Sequence, residues 1–269
     1  MVGKQIKPIY FSEKKIMAYR YDPDLEFLKN CDNDDLKILV DYLTTSKDGG
    51  NRLTEELTIT KEYKKYYPNN LKELYPKFAE ELQRYGGDTI VNFFRNGGVS
   101  YRTILEDVAN KSKVNFNKSN STEQIEEYLI QKIVSDSISK MSDEELKQFI
   151  EEFGGGKVVG VGGSLTTTAY AALRYAIQGS GFKLYKLSAV IANNVAKNLL
   201  GRGLSFAANA AVSRAVHVGL MFLGPIMWAI TAIWTIKDIT SPAFRVTTPC
   251  VIHIAYMRLK YKNKDSIES

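Results

Sequence analysis

Cysteine is nearly missing from this 269-residue chain, which holds only Cys31 and Cys250. They form no CxxC pair, so neither a disulfide framework nor a cysteine zinc site is expected, and a reducing cytoplasm suits them. Histidine is as scarce, with His217 and His253 alone. No HExxH or similar ligand spacing exists, and a lone histidine in apolar sequence reads first as a hydrogen-bonded packing residue. There is no GxSxG elbow, and Cys250 with His253 is only a local i, i+3 coincidence. The opening residues, MVGKQIKPIYFSEKK, lack the apolar run and cleavage site of a secretory signal. The sequence therefore predicts no catalytic residue, no metal site and no cofactor.

Acidic residues are sparse in the second half. Residues 154–269 hold 13 Lys/Arg against 3 Asp/Glu, whereas residues 1–153 hold 23 against 27. A basic, apolar half suggests an anionic partner, or else electrostatic complementarity between the halves. The acids of DNDD and SDEE sit where helix N-termini favour negative charge, so capping is their first reading.

Strand signals are few, the best being FRVTTP (Phe244 to Pro249). Helical signals are many. In NDDLKILVDYLT, Leu36, Leu39, Val40 and Leu43 recur at i, i+3, i+4, i+7. Asp22 and Pro23 read as cap and first turn of PDLEFLKNC. In LKELYPKFAEELQRYGG, Leu71, Leu74, Tyr75, Phe78 and Leu82 form one stripe. Gly86 is its expected stop, and Pro76 should kink it or delay its start. VSYRTILEDVAN is a further short helix. Capping boxes Ser121–Gln124 and Ser142–Glu145 open two more, because each pair satisfies orphan amides reciprocally.

The run GGGKVVGVGGS then carries Gly154, Gly155, Gly156, Gly160, Gly162 and Gly163. It fails as a phosphate loop: Lys157 is followed by Val158 rather than Ser/Thr, and Leu165 breaks a GxGxxG. A hinge or helix-packing role is expected. The overall expectation is an all-α, multi-helix bundle, with an acidic helical region at 1–153. A glycine-rich hinge and a basic, Gly/Ala-rich apolar helical region follow at 154–269.

Residues 215–236, AVHVGLMFLGPIMWAITAIWTI, carry no charge between Arg214 and Lys237. One helix of that length would rise about 33 Å, enough to span a bilayer core of about 30 Å. Gly224–Pro225 cuts it, leaving a predicted helix–break–helix hairpin buried at rest. If that hairpin met a membrane, Phe222, Gly224, Pro225, Trp228 and Trp234 would be its candidate contact residues.

Three stretches go further. DLEFLKNC with DDLKILVDYLT, ELQRYGGDTIVNFFRNGGVSYRTILEDV and SPAFRVTTPCVIHIAYMR together resemble the bacterial YaaW-like family, which is grouped with ubiquinol–cytochrome c chaperone domains. The resemblance covers roughly residues 20–110 and 219–260, and it implies no activity. Its family-like positions are Gly86, Gly87, Asp88, Tyr101, Arg102, Gly224, Pro225, Arg245 and Pro249. Asp88 reads as the cap of the helix after Gly86–Gly87, and Thr248–Pro249 as a cap and first turn. Arg245, between Phe244 and Val246, needs a carboxylate if buried, with Asp88 or Glu106 as candidates. That pair would staple the C-terminal element to the N-terminal half.

The leading expectation is a non-enzymatic, chaperone-like interaction protein acting on a protein partner in the cytoplasm. The competing one is a membrane-active or peripherally membrane-associated protein whose basic half meets anionic lipid. A third is an enzyme or nucleotide-binding protein with its site in an unrecognised constellation. Nucleic acid is disfavoured, because the basic tail RLKYKNK is short and reads first as a solvated helix end.

Overall fold

The computed structural model describes residues 19–46, 50, 52, 56–89, 98–155, 163–178, 181–205, 210–234 and 243–268, except the side chains of 87–89, 234, 266 and 268. Regular structure among them is helical, as expected of an all-α chain. In order come α1 (Asn33–Thr44), α2 (Lys61–Tyr66), α3 (Tyr75–Thr89), α4 (Tyr101–Lys111), α5 (Thr122–Ile138) and α6 (Asp143–Gly154). Then follow α7 (Leu165–Gln178), α8 (Gly181–Leu200), α9 (Ala210–Gly219), α10 (Leu223–Trp234), α11 (Phe244–Lys262) and α12 (Lys264–Glu268).

Local chemistry starts several of these helices. Both capping boxes form, with Ser121 and Gln124 closing on α5 and Ser142 and Glu145 on α6. Ser100 caps α4 by accepting from Thr103 N–H, and Thr60 caps α2 from Tyr63 N–H. Pro76 delays the start of α3 to Tyr75, because a proline in the first turn lacks only an amide with no intrahelical partner. At the end of α6, Gly155 takes φ +60°, a left-handed conformation that glycine adopts without a Cβ clash. The expected hinge falls largely on residues 156–162, which lie outside the described set.

α11 is the central element. Every residue from Val246 to Leu259 is buried, so the helix is enclosed all round rather than amphipathic. It packs against α8, α1, α5, α4 and α3. One contiguous apolar core runs from Leu25 to Leu259, fed by elements on both sides of the glycine run. Each fully buried aliphatic or aromatic side chain in it contributes about 1.5–3 kcal/mol over an exposed one.

Four expectations need correction. FRVTTP is no strand: it is the first part of α11, because enclosure by five helices outweighs the β-propensity of Val and Thr. Pro249 is not a first-turn residue either, but lies five residues inside that helix. Its missing N–H leaves the Arg245 carbonyl without its helical donor, at a residue that is exposed. Gly86 and Gly87 do not end α3, which runs on to Thr89. Gly86 is a crossing point instead, since a Cβ there would sit 2.4 Å from Ile104 Cγ1 of α4.

The fourth correction concerns the apolar stretch. α9 and α10 form no hairpin. They are joined by a 3-10 turn, Leu220–Phe222, flanked by right-handed helical backbone at Gly219 and Leu223. The turn tightens the chain ahead of Pro225, which becomes the third residue of α10, where its absent amide costs no helical bond. Ala210–Ile233 is therefore one helical run of 24 residues, long and apolar enough to cross a membrane by length and composition.

Candidate functional site

The C-terminal end of α11 carries cations into the acidic N-terminal half. Arg258 Nε donates to Glu126 Oε2 of α5 at 2.7 Å, and its Nη2 donates to the Asp24 carbonyl at 2.6 Å. The guanidinium carbon lies 4.2 Å from the Phe27 ring centroid. The Tyr101 hydroxyl of α4 donates to Glu126 Oε1 at 2.7 Å, and the Tyr101 amide donates to Asp22 Oδ2 at 2.6 Å. That amide opens α4, so Asp22 Oδ2 satisfies an orphan donor from across the fold, while its Oδ1 accepts from the Asp24 amide at 3.1 Å and caps its own segment as expected. Burial pushes the Glu126 carboxyl up, opposed by Arg258 and by the Tyr101 hydroxyl.

A second cluster forms on another face of α11, where His253, Tyr256 and Lys260 are spaced by three and four residues. Lys260 Nζ is 2.7 Å from both Asp32 Oδ2 and Asp35 Oδ2. Burial pulls the Lys260 ammonium down, but Asp35 and Asp32 outweigh it and hold its pKa above the ordinary lysine value. The Tyr256 hydroxyl donates to Asp35 Oδ1 at 3.2 Å, and His253 Nε2–H donates to the Asp35 carbonyl at 2.8 Å. Lys262 pairs with Glu123, Arg202 with Asp41, and Lys186 with Glu152 at 2.6 Å. Several cations of the basic half are thus paired with acids of the acidic half.

These clusters brace the fold and show no reactive pairing. Burial pushes the Cys31 thiol up to about 12, with Asp35 and Asp32 adding to it, and burial also pushes up Cys250, so neither is a ready thiolate. Burial lowers His253 to about 4, so the imidazole is neutral near pH 7. Among the described residues, no group of three or more His, Cys, Asp or Glu could hold a metal ion.

Of the residues singled out from the sequence, Tyr101 enters the brace directly. Arg102 does not reach it: its Nε donates to Glu106 Oε1 at 2.6 Å and its Nη1 to the Asn120 carbonyl at 2.7 Å, tying α4 to the loop before α5. Arg245 is exposed, with no carboxylate partner among the described residues, and Glu106, one of its two candidate partners, pairs with Arg102. The chain is stapled by Arg258 and Lys260 instead. Pro249 is buried in α11, while the Asp88 and Trp234 side chains lie outside the described set. Phe222 is buried against Phe149 at 5.9 Å between centroids, Pro225 is buried, and Gly224 and Trp228 are exposed.

Glu126 was not singled out from the sequence, and Arg258, expected in a solvated helix end, is buried, whereas His253 is the hydrogen-bonded packing residue expected. A signal existed for the first two. Arg258 interrupts the apolar run VIHIAYM, and Glu126 lies four residues before Ile130 on the inner face of α5.

Two features face outward. A groove of about 480 Å³ opens between α5 and α7, with Tyr128, Tyr170, Leu173 and Ile177 as apolar lining and Lys132 and Arg174 at its edge. Arg174 is exposed and forms no ion pair with a described residue. The Tyr170 hydroxyl fixes one wall by donating to the Ser135 carbonyl at 3.2 Å. The other feature is the outer side of the α9–α10 run, where Met221 and Trp228 are each 46% exposed.

Comparison with known proteins adds the following. The ubiquinol–cytochrome C chaperone family model matches residues 72–252, and a domain of unknown function (DUF3944) matches residues 19–53. A UPF0174 protein of Helicobacter pylori strain J99 is 42% identical over 245 residues, covering 91% of this chain and 94% of its own. Another from Helicobacter pylori strain 26695 is 35% identical over 214 residues, covering 79% of this chain and 100% of its own. The UPF0174 protein YaaW of Escherichia coli K12 is 28% identical over 245 residues, covering 89% and 95%. No solved structure matches.

Proposed function

Because the chain belongs to the ubiquinol–cytochrome C chaperone family, with the UPF0174 proteins as its relatives, we propose that it is a non-enzymatic, chaperone-like helical protein that docks a segment of a protein partner. The observation that carries this reading is the groove between α5 and α7. Its aromatic and aliphatic lining offers apolar area to an extended or helical segment, and Arg174 offers a cation at its edge. The buried carboxylates of Glu126 and Asp35 are meanwhile committed to bracing α11. A preformed groove with apolar lining suits a holding role, since such a surface needs little ordering on contact. Two buried free thiols fit a reducing compartment, so the reading sets the protein in the cytoplasm.

The test is suppression of aggregation. A chemically unfolded model client is diluted into buffer with the intact protein, and light scattering is followed. The reading expects scattering to fall with rising protein, and the loss of that effect in the double variant Tyr128→Ala, Arg174→Glu. Both positions lie at the groove rather than in the brace, so helicity by circular dichroism should be kept. No suppression by the wild type, or full suppression by the groove variant, overturns the reading.

A further inference from the structure

We infer that the outer face of the α9–α10 run seats the folded protein on an anionic bilayer surface as a peripheral contact. Met221, Gly224, Trp228 and Thr231 are spaced by three and four residues, so they form one stripe along a helix, and all four are exposed. Leu220, Leu223 and Met227 flank the stripe half-buried, and no acid occurs from Ala210 to Trp234. A large indole left 46% exposed is costly in water, whereas the headgroup level of a bilayer satisfies both its ring and its N–H.

Charge selects the occupant. Lys140 Nζ lies 4.4 Å from the Trp228 ring centroid, so a cation accompanies the exposed indole. At the other end of the stripe, the Arg214 side chain is 72% exposed, although its Nε lies 3.6 Å from Glu152. Apolar side chains bounded by cations, on a run with no acid of its own, match lipid phosphates above acyl chains. The opposite face fixes the depth: Phe222, Ile226 and Ile230 are buried in the core, and α10 packs on α5 and α8. Spanning would strip that face from its packing, whereas lying flat uses only what is already exposed. The inference does not depend on the α5–α7 groove, which is a separate surface.

The test uses the full chain carrying Trp234→Phe, which leaves Trp228 as the sole tryptophan. Vesicles of phosphatidylcholine alone are compared with vesicles containing phosphatidylglycerol, by co-sedimentation and by tryptophan emission. The expected result is sedimentation and a blue shift with anionic vesicles only, with headgroup-proximal bromolipid quenching more than chain-terminal bromolipid. Met221→Glu and Trp228→Glu should each abolish sedimentation, and Lys140→Ala should weaken it about fivefold. The groove double variant Tyr128→Ala, Arg174→Glu should bind vesicles normally. No anionic binding, equal binding to neutral vesicles, or sedimentation that survives Met221→Glu overturns the inference. Quenching strongest at the chain ends overturns it in favour of spanning. Loss of client binding in Met221→Glu with vesicle binding intact overturns it in favour of a protein occupant.

Discussion

Lowering the pH from 7 to 5 should cost the protein about 2 kcal/mol of stability through His253 alone. His253 is fully buried in α11, its Nε2–H donates to the Asp35 carbonyl at 2.8 Å, and its Nδ1 has no hydrogen-bond partner. A second ring proton would therefore be buried unsatisfied. Burial lowers the imidazole to about 4, against the raising effect of Asp35, while Lys260 and Arg202 lower it further. In the unfolded chain the same group titrates near 6.5, so between these values the unfolded state holds a proton that the native state excludes. The contribution is fully present above about pH 6.5 and is lost as pH falls, reaching about 3 kcal/mol near pH 4. Urea midpoints at pH 7, 6 and 5 should be compared between wild type and His253→Gln. The variant keeps an amide donor toward Asp35 but does not titrate, so the difference isolates the histidine from the carboxylates. A difference that stays flat over this range, or a wild type that gains relative stability on acidification, refutes the reasoning.

Three further outcomes follow from the packing. Glu126→Ala leaves the Arg258 guanidinium buried without its carboxylate and should cost about 3–5 kcal/mol by denaturant titration, whereas the double change Glu126→Met, Arg258→Met should recover most of it. Gly219→Ala places a Cβ 2.4 Å from Val190 Cγ1, so the close approach of α9 to α8 should make it destabilising, by about 1–3 kcal/mol. Adding Val190→Ala should relieve the clash. Arg245→Glu, on the exposed side of α11, should move stability by no more than about 0.5 kcal/mol in thermal unfolding.

Features set by neighbouring residues were legible in the sequence, and those set by distant ones were not. The Ser121–Gln124 and Ser142–Glu145 boxes are complete within four residues, and both form as read. The i, i+3, i+4 pattern at Leu36, Leu39, Val40 and Leu43 marks α1 because its inner face is continuous. Gly86 misleads because a glycine that ends a helix and one that admits a crossing helix look alike until Ile104 is placed beside it. Phe244 to Pro249 misleads because propensity speaks only for a half-exposed segment, and α11 is enclosed on all sides. Arg245 and Arg258 both sit in apolar sequence, but only the second points inward, and Glu126 is 132 residues away along the chain. Charge asymmetry between the halves was visible as composition, while its use as internal pairing needed the fold. The groove left no trace in the sequence, since its two walls lie on helices separated by the glycine run.

The central claim, that the α5–α7 groove docks a protein segment, is tested most directly by hydrogen–deuterium exchange with and without a permanently unfolded, carboxymethylated model client. The account predicts client-dependent protection in peptides covering Tyr128 to Ser135 and Tyr170 to Ile177, with α11 unchanged. Protection confined to other helices, or none at client concentrations that suppress aggregation, would contradict it.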